Sequence, residues 1–140
     1  MTKEEKLQSE IVIDFSQQHP ELYQMGCLYS TLNRTLSVRD GMKQKAMGLV
    51  AGVSDLTYHY DNRLVFIELK QPGRPHKSAH IHKQVEWGAN RYLNGAEYYI
   101  CTSVKGFYDI IHQKEMKVPD VYSMREVKKL LDLKKSTIKF

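Results

Sequence analysis

The stretch from Asp55 to Lys70 constrains the fold more than any other part of the chain. Two runs, 55–60 and 63–70, have the residue types and alternation of β-strands, and Asp61-Asn62 between them is typical of a two-residue turn. With that turn, strand pairs counted outward place Asp55 directly opposite Glu68. The sequence therefore predicts a hairpin that carries two carboxylates on one face.

The two facing acids need a counterion, because like charges opposite each other destabilise a sheet. Strand periodicity puts Lys70 on the face of Glu68 and points Leu69 to the other side. Two acids and an ammonium suit phosphodiester hydrolysis, in which a hard cation polarises the phosphate and lowers the pKa of the attacking water. Lys70 would orient that water or stabilise the negative charge of the phosphate. A surface hairpin with a Glu68–Lys70 ion pair is the alternative interpretation, and the pattern alone leaves it open.

The rest of the chain is expected to complete one domain, residues 1–140. We predict helices over 2–18, 39–47, 79–94, 104–113 and 123–135, and strands over 28–32 and 98–102. Ser78 is the expected cap of the 79–94 helix. The predicted buried stripe of that helix consists of Ile81, Val85, Ala89 and Tyr92. The last helix is basic and is expected to be peripheral, within an extension over about 120–140. The predicted fold class is α/β, with a mixed central sheet flanked by helices.

The charge balance favours a polyanionic partner. Lys and Arg number 21 against 16 Asp and Glu, for a net charge of +5, which favours DNA as a partner. The candidate phosphate contacts in the basic clusters are Lys43, Lys45, Arg74, Lys77 and Lys83. A solvated basic surface is the alternative interpretation of each cluster.

Cysteine usage and the N-terminal residues favour a cytoplasmic protein. Cys27 and Cys101 lack CxxC spacing and are too few for a disulfide framework. The first ten residues mix acids and bases without the apolar region of a secretory signal. The apolar runs are only a few residues long, far short of the roughly 20 that a membrane span needs.

Several short motifs follow one another in a specific order over residues 5–112. They are Asn33, Ala46-x-Gly48, Gly52-Val53-Ser54-Asp55, Phe66-Ile67-Glu68-Leu69-Lys70-Gln71-Pro72-Gly73, and Gln84-x-x-Trp87 leading into Gly95. The acid, acid and lysine motifs resemble the signature of the PD-(D/E)xK nucleases. The wider pattern resembles their VRR-NUC (virus-type replication-repair nuclease) branch, in its stand-alone phage and bacterial form. Ser54 stands where that family usually has proline, and serine permits the same turn.

The resemblance implies a PD-(D/E)xK (restriction-endonuclease-like) core and a set of site residues. It implies that Asp55, Glu68 and the Leu69 carbonyl bind Mg²⁺ or Mn²⁺. It implies further that Lys70 is the catalytic lysine, that Gln84 lies near the scissile phosphate, and that Glu10 approaches the metal, often through water.

The resemblance also implies an activity. Stand-alone members cut branched DNA, with Holliday junctions as the leading substrate, and act as homodimers. Symmetric cuts on two strands need two sites, and one chain of this size holds one. A restriction-type nuclease that cuts linear duplex and a DNA-binding module without catalysis are the alternatives.

The histidines at 76, 80 and 82 raise a second metal hypothesis. Their spacing could bind zinc, but neighbouring lysines favour a surface that faces solvent or phosphate. Trp87 could stack on a base, although supporting the helix around Gln84 is the favoured role.

Overall fold

The computed structural model describes residues 1–31, 37–48, 50, 52–73, 79–113, 115–116 and 119–130. Its helices are α1 (Lys3–Gln18), α2 (Pro20–Gln24), α3 (Val38–Ala46), α4 (Ala79–Leu93), α5 (Val104–Ile111) and α6 (Met124–Leu130). Its strands are β1 (Leu28–Ser30), β2 (Leu56–Tyr60), β3 (Arg63–Leu69), β4 (Glu97–Cys101) and β5 (Val121–Ser123). In these described segments, no helix combines the length and the apolar composition that a membrane crossing requires.

The five strands form one mixed sheet in the order β1-β2-β3-β4-β5. Only the central pair, β3 and β4, is parallel, and the other three pairs are antiparallel. A parallel pair needs a crossover connection, and α4 supplies it. The α/β fold with a mixed central sheet is therefore confirmed.

The β2–β3 hairpin has the predicted register. Tyr60 pairs with Arg63 at the turn, and Leu56 pairs with Ile67 at the far end. Asp61 and Asn62 both have positive φ, 51° and 61°, as a two-residue turn of the favoured hand requires. The next position outward places Asp55 beside Glu68.

Each face of the sheet is covered by a hydrophobic cluster. On one face α1 and α5 contribute, among others, Ile11, Phe15, Phe107 and Ile110 to the cluster that includes Leu69. On the other face α4 and α6 contribute Ile81, Val85, Ala89, Met124 and Val127. The last helix was expected to be peripheral, and this is wrong for its described part. Met124 and Val127 are buried against α4 and β4.

The buried stripe of α4 differs from the prediction at one position. Tyr92 is 45% exposed, and Gly88 lies in the contact with the sheet instead. A Cβ on Gly88 would come within 2.5 Å of the Tyr98 ring, so α4 approaches β4 more closely than a side chain would allow. The predicted Ser78 cap and the residues after 130 lie outside the described residues.

Candidate active site

The chain enters the site through a turn that only glycine fits well. Gly52 has a φ of +86°, and a Cβ there would lie 2.9 Å from the Lys83 carbonyl oxygen. The loop therefore lies directly on the backbone of α4. Ser54 is buried and donates from its hydroxyl to the Leu56 carbonyl at 3.3 Å.

Asp55 follows this loop and lies against the end of β3. Its Oδ2 accepts a hydrogen bond from the Leu69 backbone N–H at 2.8 Å. That bond fixes the carboxylate beside Glu68. The structure therefore brings together the two acids that the hairpin register predicts.

Glu68 is the most deeply buried acid of the site, with an exposed fraction of 2%. Its Oε1 accepts from Gln84 Nε2 at 2.7 Å and lies 3.6 Å from Lys70 Nζ. Its Oε2 is buried and receives no hydrogen bond from a donor among the described residues. The predicted Lys70 and Gln84 thus both contact Glu68 through its other oxygen.

Burial raises the pKa of both carboxyl groups, and the charge of Asp55 raises that of Glu68 further. Desolvation raises the pKa of Glu68 well above its usual range, and the charge of Asp55 adds to this more than Lys70 offsets it. Burial also raises the pKa of Asp55, although the Leu69 N–H and the charge of Lys70 act in the opposite direction. Two buried acids side by side cannot both ionise at low cost without a cation.

A buried tyrosine on the sheet face of Glu68 was not predicted. Tyr98 of β4 is buried, and its hydroxyl has no hydrogen-bond partner among the described residues. Burial raises its pKa well above the usual range, and the charges of Glu68 and Asp55 raise it further. Sequence analysis missed Tyr98 because it lies in an apolar strand pattern. The parallel register nevertheless puts it on the same sheet face as Glu68.

The charge of Glu4, on α1, also acts on the two acids. Its negative charge contributes to the raised pKa of both Asp55 and Glu68, whereas Glu10 is exposed to solvent. Glu4 lies seven residues before the buried Ile11 and therefore lies on the same face of the helix. This spacing is visible in the sequence and could have pointed to Glu4. The role that the resemblance implies for Glu10 stays a prediction.

The predicted DNA contacts are placed in part. Lys43, Lys45 and Lys83 are exposed. Arg74 and Lys77 lie outside the described residues, as does His76. No cluster of three or more metal-ligating side chains occurs among the residues described, so the zinc hypothesis gains no support from His80 and His82. The His80 ring lies 3.2 Å from Gln84 Nε2 instead.

Trp87 supports the active-site helix, as favoured. Its ring packs edge-on against Phe66 at 4.9 Å between centroids. The Arg91 guanidinium lies over the indole at 4.9 Å. The indole is thus engaged by neighbouring side chains within the protein.

Comparison with solved structures identifies a similar fold. One protein, described as a "VRR_NUC domain protein", superposes with a TM-score of 0.59 over 81% of this chain and 88% of its own length, at 18% sequence identity. The chain has the fold of a VRR-NUC domain protein. No protein-family model and no curated protein matches the sequence.

The site on this VRR-NUC fold fits a hard divalent cation. Two facing carboxylates, one with a buried oxygen that no donor in the described part of the chain reaches, could supply oxygen ligands. Mg²⁺ commonly binds through one or two carboxylates and takes its other ligands from water and substrate phosphate. A third acidic ligand in direct contact is therefore not required of the chain.

Proposed function

We propose that this protein is a metal-dependent DNA endonuclease of the VRR-NUC type. Its substrate in this proposal is branched DNA, with the Holliday junction first. The observation that carries the proposal is the buried pair of Asp55 and Glu68 beside Lys70 and Gln84, on a fold shared with a VRR-NUC domain protein.

Asp55, Glu68 and the carbonyl of Leu69 would hold Mg²⁺ or Mn²⁺. The cation supplies charge stabilisation at the scissile phosphate and a lowered pKa for the attacking water. The Leu69 N–H orients Asp55 at 2.8 Å and Gln84 orients Glu68 at 2.7 Å. Both acids are therefore held in place before any ligand arrives.

Lys70 would act on the phosphate as a point charge. Its side chain is 18% exposed and its ammonium lies 3.6 Å from Glu68 Oε1. Its backbone N–H donates to the Cys101 carbonyl at 3.0 Å, which fixes where the side chain begins. An ammonium so placed can stabilise the charge that develops as the phosphate is attacked.

Gln84 and Glu4 would act through the two acids. Gln84 is a positioning residue that holds Glu68, and its own Oε1 is buried without a partner among the residues described. Glu4 adds negative charge near both acids, which draws a cation to the site. We assign Glu4 the role that the family resemblance implied for Glu10.

DNA is the partner that the net charge of +5 favours. Exposed Lys43, Lys45 and Lys83 would contact phosphates, together with Arg74 and Lys77. A homodimer would supply the two sites that symmetric cuts in a junction need.

One panel of substrates tests the proposal. The protein is incubated with Mg²⁺ or Mn²⁺ and four-way junction, fork, flap, linear and single-stranded DNA of shared sequence. Fastest cutting of the junction supports it. Cutting of linear duplex at a fixed sequence would favour a restriction-type enzyme, and binding without cutting in either metal would favour a module without catalysis.

A further inference from the structure

Helix α3 turns polar residues toward the protein and apolar residues toward solvent. It has no buried residue, and its half-buried residues are Asp40, Gly41 and Gln44, which share one face. Gln44 Nε2 donates to Asp40 at 3.1 Å, and Gln44 Oε1 is buried without a partner in the segments that the structure describes. Polar residues therefore face the protein, which is the reverse of an ordinary surface helix.

The outward face carries an apolar ridge between cations. Val38 and Met42, one turn apart, are 83% and 69% exposed, and Ala46 continues the line one turn later. We call these three residues the α3 ridge. Helical geometry places exposed cations on both of its sides, Arg39 and Lys43 on one and Lys45 on the other.

We propose that the α3 ridge recognises the branch point of the DNA substrate. Val38 and Met42 contact bases that are unstacked at the branch, and the flanking cations contact phosphates on either side. Proteins that hold distorted DNA commonly insert apolar side chains between bases in this way. The inference rests on the proposed nuclease function and adds that α3 binds the branch point of the substrate.

Charge favours DNA over a second copy of the chain. Three cations lie on the outward side of α3, and its one acid, Asp40, lies on the inward side. Two such faces from two copies would repel each other, whereas a polyanion complements one. Exposed apolar groups among the cations favour DNA whose base faces are accessible, rather than the phosphate backbone alone.

The helix also leads directly to the two acids. Asp55 follows Ala46 by nine positions, a length that can span at most about 30 Å. Gly52, within that connection, is held against the backbone of α4. A branch point bound at the α3 ridge is therefore kept within reach of the catalytic pair.

The test compares Val38→Ala/Met42→Ala with Met25→Ala, which removes an exposed methionine, 69% accessible, outside α3. Alanine keeps α3 helical while removing the ridge. Dissociation constants are measured in EDTA for a four-way junction and a linear duplex of the same sequence, with 2-aminopurine beside the crossover. We expect the double variant to lose about tenfold in junction affinity, the loss of a typical base contact, and to lose the rise in 2-aminopurine fluorescence. Linear duplex binding should change less than twofold.

Several results would overturn the assignment. Unchanged junction preference in the double variant, or equal loss on junction and linear DNA, would exclude branch recognition by α3 while leaving the nuclease proposal intact. A shift of the double variant to a smaller species in sedimentation would identify the ridge as an interface between copies. Failure of the wild type to bind or cut any DNA with Mg²⁺ or Mn²⁺ would instead refute the nuclease proposal itself.

Discussion

At the scale of single residues, the site is organised by an electrostatic conflict at Glu68. Its carboxylate is buried beside Asp55, and one of its oxygens meets no donor within the described segments. A bound cation would relieve this conflict, and without one a proton must do so. The residue is therefore poor for stability alone and suited to binding a metal.

The stability of the metal-free protein should depend on pH through Glu68. The unfolded chain releases this proton near its usual pKa of 4.5, whereas the folded protein holds it to a higher pH. Between those values the folded state binds more protons, so the free energy of unfolding falls as pH rises. We expect the Tm of the wild type in EDTA to fall more than that of Glu68→Gln between about pH 5 and about pH 8. Parallel Tm curves would contradict the assignment.

The choice of Glu4 over Glu10 can be tested with two variants on one helix. Glu4→Gln and Glu10→Gln each remove one negative charge, and the charge of Glu4 raises the pKa of both acids. We expect Glu4→Gln to slow cleavage about tenfold, as changes beside a metal site commonly do, with a raised Mg²⁺ requirement. Glu10→Gln should cleave within about twofold of the wild type, since it is exposed. The reverse order would restore Glu10 to the site.

At the scale of elements, the hairpin was predictable because its turn and register are local. Asp61-Asn62 sets the turn, and two strands counted from it bring Asp55 to Glu68. The approach of α4 was less predictable, since it depends on Gly88 fitting against the Tyr98 ring. That contact joins residues on different elements. Helical periodicity alone predicted that Tyr92, rather than Gly88, faces the sheet.

The loop that carries Asp55 should depend on the lack of a side chain at Gly52. Gly52→Ala adds positive-φ strain and a contact of 2.9 Å with the Lys83 carbonyl. Gly95 has a φ of +94° and open space around it. Gly95→Ala is therefore a matched control that adds the positive-φ strain without the close contact. We expect each alanine variant to lose about 1–3 kcal/mol of unfolding free energy. Only Gly52→Ala should lose cleavage activity below its Tm, and equal activity in both variants would show that the loop tolerates the contact.

At the scale of the whole molecule, the fold class and the acids of the hairpin were predictable, but contacts between distant elements were not. The pattern at 123–135 indicated a peripheral helix, yet Met124 and Val127 are buried. Glu4 and Tyr98 act on the site through tertiary packing. The pattern of residues along one sequence indicates such packing only weakly. The similarity to a VRR-NUC domain protein, at 18% identity, likewise lies in the fold rather than in the sequence as a whole.

The excess of positive charge over the molecule predicts strongly salt-dependent DNA binding. Each neutralised phosphate contributes a slope of about −0.9 to log K against log salt for duplex DNA. Lys43→Gln and Lys83→Gln should each weaken binding to junction and linear DNA alike and flatten the slope by about one contact between about 50 and about 200 mM salt. An unchanged slope would place these lysines away from the DNA.

The central claim is that Asp55 and Glu68 form one catalytic metal site, and cleavage of a four-way junction by single variants tests it most directly. Rates are measured in saturating Mg²⁺ or Mn²⁺ for Asp55→Ala, Glu68→Ala and Glu86→Ala, the last removing an exposed acid of α4 as the control. We expect the first two to abolish cleavage while keeping the fold and much of the DNA affinity, and Glu86→Ala to cleave like the wild type. Cleavage near the wild-type rate by either Asp55→Ala or Glu68→Ala would contradict the account.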